Sequence, residues 1–159
     1  MLENTEFILG RKNGLFDIDI KKYENEIKNI INNSSFLIIG GAGSIGSSVA
    51  FEIFKREPKL IHIVDISENN TVEFVRNIRS TLGYIKGEFK TFAIDCNSNE
   101  FDSLVENNNP YDYVFNLSAL KHVRSESDQY TLMRMTITNI INTINYLILI
   151  ISKVLKIFN

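Results

Sequence analysis

From Phe36 onward the chain alternates short apolar runs with longer stretches in which apolar residues recur three and four positions apart. The short runs are rich in Ile, Val, Leu and Phe and predict buried strands over Phe36 to Ile39, Leu60 to Val64, Phe89 to Ile94 and Tyr113 to Leu117. The longer stretches predict helices over Ser44 to Lys55, Thr71 to Leu82, Ser98 to Glu106 and a last, long one ending near Ser152. In that last helix Ile137, Ile140, Ile141, Ile144, Leu147, Ile148 and Ile151 keep helical spacing, and Val154 to Phe158 then predicts the start of a fifth strand. Strand and helix alternating in this way predict an α/β fold with a parallel sheet covered on both faces.

Residues 1 to 34 read differently, being rich in Asn, Lys, Glu and Ile with no strand-like run. Asp19 predicts a cap for a helix through about Asn32, because Ile20, Tyr23, Ile27, Ile30 and Ile31 fall on one stripe. The stripe fits equally a helix packed on its own domain and a homo-oligomer contact. The expected organisation is an N-terminal extension over 1–34 and an α/β domain over 35–159.

Chemistry enters where the first strand breaks into Gly40-Gly41-Ala42-Gly43-Ser44-Ile45-Gly46. Gly40 allows a tight turn, Gly43 lets backbone approach a pyrophosphate, and Gly46 lets the helix pack closely on the sheet. A pyrophosphate then meets unpaired N–H groups at a helix N-terminus. The pattern requires a second strand ending in an acidic residue roughly 20 residues on, and Leu60 to Asp65 supplies it, with Asp65 placed to accept from a ribose diol. Gly41 and Gly46 also have the spacing of a triphosphate-binding loop, but Ser47 stands where that loop needs lysine. A Rossmann-like, doubly wound sheet holding a dinucleotide is therefore expected. Such sheets usually carry more strands than are found here, so the fold is expected to be incomplete at the C-terminus. Gly40, Asp65, Asp95 and Ser118 fall at or just past strand ends, where ligands of such sheets bind.

Composition narrows the setting. The chain has 159 residues, the size of one ordinary domain, and a net charge of −2 with no stretch that interleaves aromatics with Lys and Arg, so nucleic-acid binding is not expected. One cysteine, Cys96, excludes an internal disulfide, and His62 and His122 show no metal-ligand spacing. Residues 1 to 30 carry charges throughout, unlike a signal peptide. The longest apolar run, Tyr146 to Ile151, is far short of the roughly 20 residues of a membrane span, so no span is expected. A cytoplasmic location follows as the expectation.

With the glycine loop, Asp65-Ile66-Ser67-Glu68-Asn69 and Leu117-Ser118-Ala119-Leu120-Lys121-His122-Val123 in order, the chain resembles the nucleotide-sugar 4,6-dehydratases and epimerases of bacterial polysaccharide biosynthesis. These belong to the extended short-chain dehydrogenase/reductase superfamily, and the likeness covers most of residues 9 to 143, the amino-terminal part only. The resemblance implies that Gly40, Gly43, Ser44, Ile45 and Gly46 line the pyrophosphate, while Asp65 holds the adenosine ribose. It implies that Asp95 and Cys96 face the adenine, that Ser118, Ala119 and Leu120 run along the nicotinamide, and that Lys121 and His122 lie beside substrate phosphates or sugar. Cys96 itself reads as a small packed residue without thiol chemistry. A carboxylate at Asp65 would repel a 2′-phosphate and no arginine follows it, so NAD is favoured over NADP. Asn139 stands where the family often has an asparagine in the helix behind the active site.

The implied chemistry is an internal redox cycle on a nucleotide-linked hexose, which needs acid/base groups from a Ser/Thr-Asp-Lys stretch and a Tyr-x-x-x-Lys pair. Neither is present: four residues after Tyr23, Tyr84, Tyr111, Tyr113, Tyr130 and Tyr146 stand Ile27, Glu88, Phe115, Leu117, Arg134 and Ile150. The expected role is the NAD(P)-binding part of a UDP-N-acetylhexosamine-type dehydratase or epimerase, without turnover of its own. The alternatives are a non-catalytic dinucleotide-binding or scaffolding module and a non-functional truncated product.

Overall fold

A computed structural model of the chain describes residues 14–108, 110–120 and 128–155. The chain divides between Ile30 and Ile31 into two compact units. Most of the described residues of the first unit lie in helix α1 (Asp17–Asn32), which starts ahead of the cap expected at Asp19. The cause is local. The Asp17 carboxylate accepts a hydrogen bond from the Gly14 N–H at 2.7 Å, holding negative charge at the helix N-terminus.

The second unit runs β1 (Ser35–Ile39), α2 (Ser44–Phe54), β2 (Leu60–Asp65), α3 (Glu68–Leu82), β3 (Glu88–Ala93), α4 (Asn99–Asn107), β4 (Tyr113–Asn116), α5 (Gln129–Thr136), a π-helical segment (Ile137–Ile141) and α6 (Asn142–Leu155). All four predicted strands form one parallel sheet in the order β3-β2-β1-β4. The chain winds outward from β1 through β2 to β3, then returns across β1 to lay down β4. The direction of winding therefore reverses between β1 and β4, and in open α/β sheets a crevice for ligands opens at the carboxyl ends of strands at such a point.

Alternation along the strands builds two apolar layers. Parallel register sets Phe36 beside Ile61 and Ile61 beside Phe89 on one face. There the Phe89 ring meets Phe54 of α2 edge-on at 5.1 Å and Phe74 of α3 at 6.4 Å. On the other face Leu37, Ile39 and Val64 cluster with Phe101 and Val105 of α4 and Tyr146 of α6. Leu37, Ile38, Ile61 and Ile63 are fully buried, each worth roughly 1.5–3 kcal/mol of transfer free energy. Helix α3 starts at Glu68, earlier than the expected Thr71, because the Ser67 hydroxyl accepts from the Asn70 N–H and caps the first turn. Ser98 caps α4 in the same way through the Phe101 N–H.

One buried polar group interrupts the second layer. His62 of β2 has no exposed surface; its Nε2 lies 2.9 Å from Glu88 Oε1 and its Nδ1 lies 2.8 Å from the Tyr111 hydroxyl. A neutral imidazole satisfies both partners, donating Nε2–H to the carboxylate and accepting the phenol O–H at Nδ1. Burial holds the His62 pKa below its ordinary value, with Lys90 nearby adding to that and Glu88 opposing it, and burial also pushes the Tyr111 phenol up to about 12. The unfolded imidazole thus takes up a proton at higher pH than the folded one. The His62 contribution to stability is complete above about pH 6.5 and is lost as pH falls below it. The thermal midpoint is expected to drop between about pH 7 and pH 5, and His62→Gln, less stable at pH 7, should flatten that slope. An unchanged slope in the variant would assign the pH response to other groups.

From Gln129 to Ser152 the helix is unbroken for 24 residues and is long and apolar enough, by length and composition, to cross a membrane, a measure that core helices of soluble proteins also meet. The expectation of no span was drawn from the uninterrupted run Tyr146 to Ile151; threonines and asparagines interrupt that apolar run without interrupting the helix. One side of it is seated on the sheet layer, where the buried Tyr146 ring meets Phe101 edge-on at 6.1 Å and Leu149 and Ile150 pack beside it. The other side carries Ile137, Ile140, Ile141, Ile144, Leu147, Ile148 and Ile151, all exposed. The strand expected from Val154 does not begin there, since α6 continues through Leu155. A short apolar run reads alike as strand or helix by periodicity. Residues 156–158 lie outside the described residues.

Candidate functional site

A cleft of about 330 Å3 opens at the carboxyl ends of the strands. Gly40, Gly43, Ser44, Ile45, Gly46, Asp65, Asp95, Cys96, Ser118, Ala119 and Leu120, named from sequence, all line it. Lys121 and His122 lie outside the described residues.

Its centre is the turn from β1 into α2. Gly40 has φ +74°, and the Gly40 and Gly41 N–H groups both donate to the Val64 carbonyl, at 2.8 and 3.2 Å, so the turn is stitched to the end of β2. A Cβ on Gly46 would lie 2.0 Å from the Gly40 carbonyl oxygen, which is why only glycine lets α2 start this close to the turn. At Gly43 the only neighbour within 4 Å of a Cβ among the described residues is that same oxygen, at 3.3 Å, leaving the position open towards the cleft. Gly43 is the N-cap of α2 and brings no side chain to it; the first intrahelical bond runs from the Ser47 N–H to the Gly43 carbonyl. The N–H groups of Ser44, Ile45 and Gly46 precede that bond and sit at the positive end of the helix dipole. A diphosphate fits this cradle.

Asp65 does more than its position at the end of β2 announced. Its Oδ2 accepts from the Ala42 N–H and its Oδ1 from the Ser67 N–H, both at 3.0 Å, with the residue 9 % exposed. The carboxylate thereby ties the glycine turn to the start of α3, and each oxygen keeps a further lone pair for a ligand hydroxyl. At the end of β3 Asp95 is held in a tight turn, its Oδ1 accepting from the Asn97 N–H at 2.9 Å and the Asn97 amide at 3.0 Å. Burial, and then the Asp95 charge, push the Cys96 thiol up from its ordinary pKa, which fits a packed, unreactive residue.

The far wall is the 117–120 segment after β4. The Leu117 N–H donates to the Ile39 carbonyl at 2.8 Å, and the Ser118 N–H and hydroxyl both donate to Asn116 Oδ1. Asn139 makes reciprocal bonds with the Leu120 backbone, Oδ1 accepting at 2.9 Å and Nδ2 donating at 2.8 Å. It does so from the π-helical segment, a wide turn that recurs near functional sites. Sequence placed Asn139 behind the site; the structure shows it pinning the cleft wall. Lining residues not named as candidates include Ile39, Val64, Ile94 and Leu117, at or beside the strand ends, and, beyond the strands, Ile66, Asn97, Arg134 and Thr138. Arg134 and Thr138, one turn apart on one helix face, carried a readable spacing but no motif. Among the described residues no cluster of three metal-ligating side chains occurs. The arrangement is suited to holding an anionic nucleotide.

A family model described as polysaccharide biosynthesis protein matches residues 36–158. The chain belongs to that family. It is 30 % identical over 120 residues to an uncharacterized membrane protein of Methanocaldococcus jannaschii, the match covering 76 % of this chain and 33 % of that protein. Among solved structures it resembles Pen from Bacillus thuringiensis at 27 % identity and TM-score 0.64, over 77 % of this chain and 36 % of that one. A second likeness, at 16 % identity and TM-score 0.62 over 81 % of this chain and 56 % of the other, is to an Escherichia coli CFT073 protein described as a short chain dehydrogenase and complexed with NADPH. That likeness concerns the fold. This family member spans about a third of the length of the first two proteins. The resemblance read from the glycine loop and the Leu117 to Val123 segment is thus borne out at the level of the family and of the short-chain-dehydrogenase-type fold.

Proposed function

We propose that this chain is the dinucleotide-binding part of an NAD(P)-dependent enzyme that remodels a nucleotide sugar, of the UDP-N-acetylhexosamine type, for polysaccharide synthesis. The observation that carries the reading is the cradle formed by Gly43 and the uncapped start of α2, flanked by Asp65. In this reading the Ser44, Ile45 and Gly46 N–H groups hold the pyrophosphate, Asp65 accepts from the adenosine ribose, and the Ser118 to Leu120 wall keeps water from the nicotinamide side. The bound nicotinamide would supply reversible hydride transfer. NAD is preferred because a 2′-phosphate would meet the Asp65 carboxylate at close range. The NADPH held by the Escherichia coli protein supports a nicotinamide dinucleotide and leaves that preference to Asp65.

The chain is expected to bind without converting substrate, because none of its six tyrosines is followed by lysine at the fourth position. Incubation with NAD and UDP-N-acetylglucosamine, followed by proton NMR, should show unaltered sugar, while ligand-observed NMR shows NAD bound. Sustained conversion by the pure chain would overturn the division between binding and catalysis. A folded chain that shows no bound dinucleotide would favour the non-functional alternative.

A further inference from the structure

Two carboxylates, Asp65 and Asp95, line the cleft over β2 and β3, and among the described lining residues only Arg134 is cationic. Arg134 projects from the opposite side. It lies in the last turn of α5, one turn before Thr138, on the helix that Asn139 pins to Leu120 past the end of β4. The residue is exposed, and among the described residues no carboxylate stands within ion-pair distance of it. The cleft is thus electrically divided, acidic over β2 and β3, and basic on the β4 side, with the uncapped start of α2 between them. A ligand that is neutral at its ribose and anionic at its middle suits this division. The helix N-terminus contributes about half a positive charge, and a guanidinium facing it would add a full one.

We infer that Arg134 is a diphosphate-binding residue, closing on the phosphate oxygens from the side opposite the α2 N-terminus. The inference rests on the nucleotide-binding reading above and adds a residue to it. Guanidinium can place two parallel N–H groups on two phosphate oxygens, which an ammonium cannot. The diphosphate could be that of the dinucleotide or of a second nucleotide lying on the β4 side; the recognising chemistry is the same, and separate ligands distinguish the sources.

The test titrates the full chain, Arg134→Gln and Arg134→Lys with NAD, UDP and adenosine, at low and at roughly physiological ionic strength. Arg134→Gln is expected to weaken NAD about five- to tenfold and to flatten its salt dependence, with Lys recovering part of the loss and adenosine, which has no phosphate, unaffected. A loss confined to UDP would keep the role and assign the phosphates to a second nucleotide. Undiminished binding of both NAD and UDP by a Gln variant with the wild-type thermal midpoint would overturn the inference alone. A wild-type chain that is folded yet binds neither would overturn the reading beneath it, and the inference with it.

Discussion

Gly46→Ala is expected to abolish saturable dinucleotide binding and to lower the thermal midpoint by about 10 °C. The added Cβ would lie 2.0 Å from the Gly40 carbonyl oxygen and 2.7 Å from the Gly41 Cα, both backbone atoms that no side-chain rotation can move away. Either α2 retreats from the turn or the turn opens. Each movement displaces the N–H groups of Ser44 and Ile45, so stability and binding should fall together. Gly43→Ala provides the contrast, since its Cβ would meet only the Gly40 oxygen, at 3.3 Å. That variant should keep its midpoint within about 2 °C while losing affinity, because the methyl group would occupy ligand space. Circular-dichroism melts with parallel titrations would check the pair, and an alanine at position 46 that leaves both readouts unchanged would mean that the helix does not start this close to the turn.

Asp65→Asn carries the second large effect. The two carboxylate oxygens accept from the N–H groups of Ala42 and Ser67, and an amide of the same shape can accept from only one of them while pointing its NH2 at the other. One nearly buried donor is left unsatisfied at a cost of about 1–3 kcal/mol. The loss should appear as a midpoint lowered by several degrees even without ligand. NAD affinity should drop by more than the stability change explains, because a ribose acceptor is lost too. A variant with wild-type stability and weakened NAD binding would confine Asp65 to the ligand and remove its role as a tether.

Much of the fold was legible in the sequence because each buried strand is a dense run of Ile, Val, Leu or Phe, and Gly40 and Asp65 fix the ends of the first two strands. The eleven candidate residues on described segments share one cleft for the same reason: motif residues sit at strand ends, and a parallel sheet gathers those ends on one side. Arg134 was illegible because it reaches the cleft from a helix far along the chain, through the register that Asn139 imposes on Leu120. The double role of Asp65 was hidden likewise, since its bond to the Ala42 N–H depends on how the glycine turn folds back over β2. The stripe from Ile137 to Ile151 was read correctly as helical, but periodicity does not say which face meets the sheet. Tyr146 turned out to be the buried anchor, while the isoleucines point outward. The expected fifth strand failed where Val154 and Leu155 simply extend the helix.

The most direct test of the central claim is calorimetric titration of the purified, folded chain with NAD and, separately, with NADP. Saturable NAD binding, weaker for NADP and lost in Gly43→Val, is the predicted result. A chain with an intact thermal transition that binds neither cofactor would contradict the assignment of this cleft to a dinucleotide.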